Sequence, residues 1–560
     1  MTWKIRDSYR KKLAAEERLL PASRRGGSLS VCLVYPNRYY VGMSSLGFQT
    51  VYRLLSEIPG IVCERAFLPD PNELKEYRSS GCRLMSLESQ RELASFDLIA
   101  FSISFEQDYL TLPLMFELAG IPLLAVDRNA TAPLILAGGA ALFLNPEPIA
   151  DFLDLVVLGE AEPLIDSLIN EMRQACDRDT LVALASLIPG VYVPSLHLPL
   201  YRDELLTGWK TNRGAPERVQ RVWSPTASGE VSFSIFYTAD TEFDNLTLVE
   251  VSRGCPRGCR FCAAGFIYLP FRQHSLEAVL PRIDEGLPYR SRVGLVGAAV
   301  SDYREFGALC RAILDKGGTV SVSSLRIDGI NEEMVEVLLR SGHKTVTLAP
   351  EGGSQRLRDL IHKEITESDI LRAADLVIGK GILNLKLYFI IGLPTETDDD
   401  LGELIALVSR LRERVVDAAR KHRRLGEITI SVNPFIPKPF TPFQWCGMTP
   451  LKELERKESL LRRAFGALPN VRMQMENPRD ALLQGALSRG ARSLSRFILK
   501  AHELKGWKNA ARALDLDIEE MACREIPLNE LLPWDFIGSV SREHLAREYS
   551  AAFGLQGDEV

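Results

Sequence analysis

The segment 253–265, RGCPRGCRFCAAG, contains three of the ten cysteines in the chain. Cys255, Cys259 and Cys262 are spaced C-x3-C-x2-C and follow the apolar, β-branched run LTLVEVS, which predicts a strand. Thiols this close in the sequence can converge on one metal centre. Three thiolates leave one iron of a [4Fe–4S] cluster without a protein ligand. The motif therefore predicts a catalytic cluster with an open iron rather than a closed electron carrier.

Two other interpretations of the three cysteines are open. A structural zinc site needs a fourth ligand, and His274 is the nearest later candidate. The cysteines could also be unrelated residues of one loop. A non-enzymatic variant of the cluster hypothesis is a redox sensor or electron carrier, but such a protein has no use for an open iron.

The segments after the cysteine motif alternate between predicted strands and predicted helices. LTLVEVSRG, RVGLVGAA, GTVSVSSLRID, KTVTLAPEGG, LNLKLYFIIGLP and EITISVNPFIP read as six strands, with EEMVEVLLRSG and ESDILRAADLVIGKG among the helices between them. Six strands with helical crossovers in roughly 200 residues predict a partial (β/α)6 barrel. Catalytic residues are then expected at the carboxyl ends of these strands.

The cysteine spacing at the end of a first barrel strand, with Phe261 just before the last cysteine, resembles the radical S-adenosylmethionine (SAM) superfamily signature. The resemblance covers about residues 243–445. It implies that the open iron chelates the amino and carboxylate groups of SAM. One-electron reduction then yields methionine and a 5′-deoxyadenosyl radical, which abstracts hydrogen from a substrate. It also implies an external one-electron reductant of the flavodoxin or ferredoxin type.

The same resemblance implies SAM-binding residues at later strand ends. The family's Gly-Gly-Glu stretch corresponds here to Gly297-Ala298-Ala299, so the glutamate is absent and backbone carbonyls are expected to serve. Ser324 and Arg326 follow the third strand, where the guanidinium could pair with the methionine carboxylate. A surface arginine is the alternative interpretation of Arg326.

Two further motifs complete the predicted SAM site. Glu351 in APEGG resembles the glutamate-containing turn that contacts the ribose or amino group in related enzymes, and Gly392 in FIIGLPTET resembles the motif that passes close to adenine. Gly392 could instead form a turn that Pro394 fixes. The predicted cofactor-binding residues are Phe261, Gly297, Ser324, Arg326, Glu351 and Gly392; no catalytic residue is assigned.

A second α/β pattern precedes the barrel. SLSVCLVYP, FDLIAFSIS, APLILAGGA and LDLVVLGEAE read as buried strands, each followed by small or polar residues and a helix, which predicts a doubly wound parallel sheet. Residues 96–104, Gly138-Gly139 and LGEAE resemble the Rossmann-like cobalamin-binding domain of one large radical SAM class. In that class methyl transfer is the commonest outcome. The class's Asp-x-His-x-x-Gly motif is missing, and the first histidine is His197. Cobalamin without an imidazole ligand from this domain, or a cofactor-free scaffold, are the two interpretations.

These patterns predict five parts, with the bounds 1–27 (N-terminal helical extension, ending in the linker Arg24–Gly27), 28–193 (Rossmann-like domain), 194–242 (connector with short hairpins), 243–450 (barrel) and 451–560 (helical region). Residues 451–512 contain 14 Lys and Arg against 6 Asp and Glu. A helical cap on the barrel is the favoured interpretation, and a surface for RNA or another polyanion is the alternative.

Whole-chain composition narrows the class of protein. The 560 residues carry a net charge of −6, from 67 basic and 73 acidic side chains, so no overall charge favours nucleic acid or membranes. Neither a signal peptide nor a membrane-spanning stretch is expected, and the cysteine usage fits a reduced, cytoplasmic compartment.

Nearly the whole chain resembles an uncharacterised bacterial family of fused cobalamin-type radical SAM proteins, through YPNRYYVGMSSLGFQ, the barrel and WDFIGSVSREHLAREY. The leading hypothesis is a cobalamin-dependent radical SAM methyltransferase. The alternative is a cobalamin-free radical SAM enzyme that modifies RNA or another substrate.

Overall fold

A computed structural model describes residues 3–20, 26–203, 205–225, 230–323 and 325–555. Two residues of the expected linker, Arg24 and Arg25, and the predicted SAM contact Ser324 lie outside the described residues. Among the helices that are described, none is long and apolar enough to cross a membrane.

The N-terminal region is an α/β unit. Its helices are α1 (Trp3–Ala14), α2 (Tyr39–Met43), α3 (Leu46–Glu57), α4 (Pro71–Ser80), α5 (Leu112–Ala119), α6 (Ala140–Leu144), α7 (Ile165–Gln174) and α8 (Arg178–Ala185). Its strands are β1 (Glu17–Arg18), β2 (Leu29–Tyr35), β3 (Ile61–Phe67), β4 (Leu98–Ser102), β5 (Leu134–Gly138), β6 (Leu155–Val157) and β7 (Val191–Tyr192).

Six of these strands form one sheet in the order β3-β2-β4-β5-β6-β7, parallel except for β7. Every residue of β2 is buried, as expected for a parallel strand covered by helices on both faces. Helix α3 begins after Ser45, whose side chain accepts a hydrogen bond from the Phe48 amide, and it buries Phe48, Tyr52 and Leu55 on one face. The predicted doubly wound sheet is therefore confirmed. Because the strand order reverses between β2 and β4, ligands are expected outside the carboxyl ends of these strands.

The connector contains β8 (His197–Arg202), β9 (Leu205–Thr211), β10 (Val219–Gln220) and β11 (Phe236–Tyr237). Strands β8 and β9 form an antiparallel hairpin of the kind expected here. Strand β11 pairs with β1, so the connector runs back to the start of the chain before the barrel begins.

The barrel region alternates strands and helices. Its strands are β12 (Leu246–Glu250), β13 (Ser252–Arg253), β14 (Arg272–Gln273), β15 (Arg292–Val296), β16 (Thr319–Ser321), β17 (Thr345–Glu351), β18 (Asn384–Ile391) and β19 (Ile428–Pro434). Its helices are α9 (Ala264–Ile267), α10 (Leu276–Gly286), α11 (Phe306–Asp315), α12 (Glu332–Arg340), α13 (Gln355–Leu360), α14 (Glu367–Gly379) and α15 (Asp398–His422).

The C-terminal region adds α16 (Leu451–Gly466), β20 (Val471–Met475), α17 (Pro478–Arg489), α18 (Leu494–Glu503), α19 (Trp507–Ala513), α20 (Ile518–Cys523), β21 (Ile537–Gly538) and α21 (Arg542–Phe553). Short 3-10 helices lie at Leu93–Ser95, Glu106–Thr111, Ala125–Asp127, Glu147–Phe152, Pro194–Leu196, Val300–Asp302, Ile327–Gly329 and Pro442–Trp445.

All six expected barrel strands are present and parallel. They form two sheets, β12-β15-β16 and β17-β18-β19-β20. The predicted partial barrel is confirmed, and β20 adds a seventh strand from the region expected to be helical. Strand β20 is short and its residues are only partly buried, so its five residues carry a weak hydrophobic signal in the sequence.

The C-terminal helices pack against the rest of the molecule. Asn145 Nδ2 donates to the carbonyl oxygens of Ser488 (3.1 Å) and Gly490 (2.8 Å), and Arg492 pairs with Glu147 at 2.9 Å. Many cations of residues 451–512 already have protein partners: Arg456, Lys457, Arg462, Arg472, Arg479, Arg489, Arg492 and Lys500. These contacts favour the cap over the polyanion surface.

Candidate active site

The three cysteines lie on the loop between the first barrel strand and α9. Cys259 is buried, and Cys255 and Cys262 are partly exposed; all three thiols are free. Burial raises the pKa of Cys259 to about 11, while Lys363 lowers it and the thiols of Cys262 and Cys255 raise it further. The three thiols therefore influence one another electrostatically on one loop, and their role as cluster ligands stays a prediction.

The cysteine loop is held from both sides. The Arg260 amide donates to the Ile361 carbonyl at 3.0 Å, and Arg260 Nη1 donates to the Leu360 carbonyl at 2.9 Å. Arg260 Nε also lies 3.2 Å from Glu548 Oε2 on α21, so the C-terminal helix contacts this loop. Phe261 packs against a small apolar cluster composed of Leu357, Ile361, Leu393, Phe435, Phe443 and Cys446. Phe261 thus anchors the loop in the barrel.

Two of the predicted SAM contacts lie near the thiols. Burial raises the pKa of the Cys262 thiol, backbone hydrogen bonds from Ala264 and Gly265 lower it, and the nearby Glu351 carboxylate raises it. Glu351 ends β17 with φ +64° and lies 3.4 Å from Lys363 Nζ. The guanidinium of Arg326 contributes to lowering the pKa of Cys259, and its Nε lies 2.7 Å from Asp328 Oδ1. Arg326 is therefore not a free surface residue.

Gly297 and Gly392, the two glycines of the predicted SAM site, are required for different structural reasons. A Cβ atom at Gly297 would lie 2.5 Å from Ser252 Oγ, so the chain passes β13, just before the cysteine loop, too closely for a side chain. Gly392 has φ +70°, and its amide donates to Glu396 Oε1 at 2.8 Å. This conformation agrees with the turn interpretation of Gly392, and contact with adenine stays a prediction.

A cavity of about 460 Å³ joins the N-terminal sheet to the first two barrel strands. On one side it enters the N-terminal region, where Leu33, Val51, Leu98, Ala100, Leu136 and Leu168 line it between the sheet and helices α3 and α7. On the other side it reaches residues 250, 252–254 and 296–298, which adjoin the cysteine loop and include Gly297. The cavity therefore extends from the strand ends of the first unit to the cysteine loop of the second.

The barrel side of this cavity carries a buried ionic network that the sequence did not predict. Arg253, two residues before Cys255, contacts Glu250 at 2.7 Å, Glu160 at 2.9 Å and Glu162 at 2.9 Å. Arg272 adds a second guanidinium, 2.5 Å from Glu160. Glu160 and Glu162 belong to LGEAE after β6. Two acidic residues at the end of a predicted strand were therefore the feature of the sequence that could have indicated this network.

Burial and charge act in opposite directions on these carboxyl groups. Burial disfavours ionisation of Glu250, but His274, whose Nε2 lies 3.7 Å from Glu250 Oε2, and Arg253 together lower its pKa to about 2. Burial also opposes ionisation of Glu160, and Arg272 and Arg253 lower its pKa. Both carboxylates are charged at neutral pH.

His274, the candidate fourth zinc ligand, is buried beside Glu250. Across the described ranges, no three Cys, His, Asp or Glu side chains converge on a position for a single metal ion. A four-iron cluster takes one thiolate for each of three irons, so its ligands surround a wider volume. Three free thiols on one anchored loop fit such a cluster.

Two family models match the chain. The model for the N-terminal region of radical SAM proteins matches residues 47–194, and the model for the radical SAM superfamily matches residues 249–408. The chain belongs to the radical SAM superfamily and is a radical SAM enzyme, whose cofactors are a [4Fe–4S] cluster and SAM.

Individual relatives cover different parts of the chain. An uncharacterized protein of Methanocaldococcus jannaschii is 29% identical over 475 residues, which is 84% of this chain and 90% of that one. The anaerobic magnesium-protoporphyrin IX monomethyl ester cyclase of Rubrivivax gelatinosus is 23% identical over 295 residues, 50% of this chain and 49% of that one. A solved radical SAM methyltransferase from Kitasatospora setae, TsrM, with cobalamin and a [4Fe–4S] cluster bound, aligns with TM-score 0.49 and 14% identity over 87% of this chain and 100% of that one.

Proposed function

We propose that this enzyme is a cobalamin-dependent radical SAM methyltransferase. Cys255, Cys259 and Cys262 are its cluster ligands, and the N-terminal unit is its corrinoid-binding domain. The observation that carries the proposal is the single cavity that connects the interior of the N-terminal sheet domain with the wall beside the cysteine loop.

The N-terminal part of the cavity is suited to a planar, largely apolar group. Protein interiors are close-packed, and an empty apolar space between a sheet and its helices is destabilising. Leu33, Ala100 and Leu136 line that space from three neighbouring strands, and the cavity continues to Ser102 and Gly138 at the carboxyl ends of β4 and β5. The nucleotide tail of cobalamin has the flat heteroaromatic ring that such a slot accepts. The corrin ring would then lie beyond these strand ends, between the two units.

The residues that line the cavity also indicate which side chains are available as a ligand for the cobalt of a bound corrinoid. None of the described lining residues carries an imidazole, a thiol or a thioether. This agrees with a chain whose first histidine is His197. A corrin bound there would therefore receive no imidazole, thiol or thioether from the described residues of the cavity wall.

When bound, the cluster supplies the electron that cleaves SAM, and the corrinoid carries the methyl group. The protein's own part is to hold and enclose these groups. Arg260 and Phe261 fix the cysteine loop between the barrel and α21. Arg326 and Glu351, beside the thiols, are placed to bind the carboxylate and the amino or ribose groups of SAM. An external flavodoxin or ferredoxin is the proposed electron source.

The proposal is tested by measuring iron, sulfide and corrinoid after anaerobic expression with added cobalamin. About four irons and one corrinoid per chain are expected for the native protein. Cys259→Ala should lose the iron, whereas Cys176→Ala, at an exposed thiol remote in sequence from the motif, should retain it. Four irons without corrinoid would reject the cobalamin proposal in favour of a cobalamin-free radical SAM enzyme. Retention of the cluster by Cys259→Ala would reject the ligand assignment.

A further inference from the structure

Arg260 lies inside the cysteine motif and is bonded on three sides. Its amide donates to the Ile361 carbonyl at 3.0 Å, and its Nη1 donates to the Leu360 carbonyl at 2.9 Å, both at the end of α13. Its carbonyl accepts from the Phe443 amide at 3.2 Å. Its Nε donates to Glu548 Oε2 on α21 at 3.2 Å. One residue of the motif is therefore bonded to three separate segments of the chain.

Helix α21 also shares an apolar cluster with the cysteine loop. Tyr549, Ala552 and Phe553 of α21 pack against the same small buried cluster as Phe261, the residue before the last cysteine. The Tyr549 and Phe553 rings lie 4.8 Å apart. Because this packing holds α21 beside the loop, Glu548 on the same helix faces the cysteine motif at a defined position.

The two side chains of this ion pair differ in exposure. The Arg260 side chain is 11% exposed, and the Glu548 side chain is 33% exposed. Solvent screens a partly exposed pair, so its loss should have little effect on the stability of the whole chain. Arg260 is nevertheless adjacent to Cys259, so a change in the position of Arg260 reaches a predicted ligand through one peptide bond. The pair should therefore affect the cluster more than the fold.

We propose that Glu548 is a positioning residue for the iron–sulfur cluster. Through Arg260, Glu548 fixes the cysteine loop, and its negative charge balances the guanidinium beside the ligands. A helix from the far end of the chain thus completes the cluster site of the barrel. This inference rests on the ligand assignment that is part of the proposed function.

The first measurement is the rate at which bathophenanthroline disulfonate, a ferrous-iron chelator, removes iron from the reconstituted full chain. Glu548→Gln should release iron about threefold faster, as expected for the loss of one partly exposed ion pair. Arg260→Met should release it about tenfold faster, because it also loses the hydrogen bond to the Leu360 carbonyl. The double variant should be no faster than Arg260→Met, because Glu548 acts through the guanidinium.

The second measurement is the midpoint potential of the cluster, from a redox titration followed by electron paramagnetic resonance without SAM. Reduction adds one negative charge to the cluster, so a nearby carboxylate opposes it and a nearby guanidinium favours it. Glu548→Gln should therefore shift the potential to a more positive value, and Arg260→Met should shift it to a more negative value. Loosening of the loop alone would shift both variants in the same direction and would contradict the proposed charge balance.

Glu543→Gln is the matched control, because Glu543 is an exposed acid on α21, five residues before Glu548. It should leave the iron-release rate and the potential unchanged. Native values of both in Glu548→Gln would overturn the inference, even if its thermal midpoint fell, and so would faster release on adding Glu548→Gln to Arg260→Met. Absence of a four-iron cluster from the native chain, or its retention by Cys259→Ala, would instead reject the proposed function. If Arg260→Met takes up no cluster, Glu548→Gln carries the test alone.

Discussion

The two walls of the central cavity are built by opposite means. The N-terminal wall consists mainly of aliphatic side chains and glycines of the parallel strands, such as Leu33, Ala100 and Gly138, with a few hydroxyl groups such as those of Ser102 and Ser104. The barrel wall consists of a buried network in which Arg253 contacts three carboxylates. An apolar wall accepts the bulk of a ligand without specifying its orientation, whereas fixed charges and hydrogen-bonding groups orient it.

The same contrast separates two kinds of buried acid. Glu250, beside Arg253 and His274, has a pKa lowered to about 2. Asp108, after β4 in the N-terminal unit, has no countercharge among the described residues, and burial raises its pKa to about 6 despite a hydrogen bond from Asn37. Burial has the same sign in both sites, so His274 and Arg253 beside Glu250 account for the difference in pKa.

The largest expected effect is on the barrel wall. Arg253→Met removes the cation shared by three carboxylates while its side chain is only 15% exposed, so it should lower the free energy of unfolding by about 4 kcal/mol. Urea unfolding at neutral pH measures the change. Arg253→Lys should recover part of the loss, and Arg304→Met, at an exposed position, should be close to neutral. A loss below about 1 kcal/mol for Arg253→Met would mean that the network does not stabilise the wall.

An intermediate effect is expected at Asp108, and it depends on pH. Its folded pKa of about 6 exceeds the ordinary 3.8, so the native state binds more protons between these values and stability falls as pH rises from about 4 to about 6. Asp108→Asn removes this dependence while Asn37 keeps an acceptor, and the variant should gain about 2 kcal/mol over the native protein between pH 4 and pH 7. Thermal unfolding at a series of pH values measures it. Parallel pH profiles for the two proteins would show that Asp108 has an ordinary pKa.

The smallest effect is expected on the apolar wall. Ala100 projects into the proposed tail slot from β4, and Ala100→Leu should lower cobalamin affinity about tenfold by occupying part of it. Stability should be little changed, because the added atoms enter an existing cavity. Ala100→Ser keeps the slot open and serves as the control. Titration of the cluster-loaded protein with cobalamin measures the affinity. If Ala100→Leu destabilised the chain without altering cobalamin affinity, the apolar wall would not be the ligand-accepting wall.

Particular elements show how far the sequence could be interpreted. Strands β2, β4, β5 and the six barrel strands are apolar runs bounded by turn residues, so their periodicity predicted them. Strand β3 was not predicted, although IVCERAF is almost wholly buried, because Glu64 and Arg65 interrupt its apolar pattern. Strand β20 was missed because its weak pattern lies between two longer helices.

The candidate site also has one part that the sequence predicted and another that it did not. Cys255, Cys259 and Cys262 are close in sequence, so their spacing alone predicted a shared centre. Glu160 and Glu162 precede Arg253 by about 90 residues in the chain, and they become its neighbours only when the N-terminal sheet packs on the barrel.

The sequence by itself determined the α/β class, the cysteine constellation and the order of the two units, because these depend on short-range periodicity and local spacing. Only the tertiary structure decided that the two units share one cavity and that Arg253 contacts three carboxylates. Burial and long-range charge pairing arise when distant strand ends meet, and no local pattern records which ends will do so.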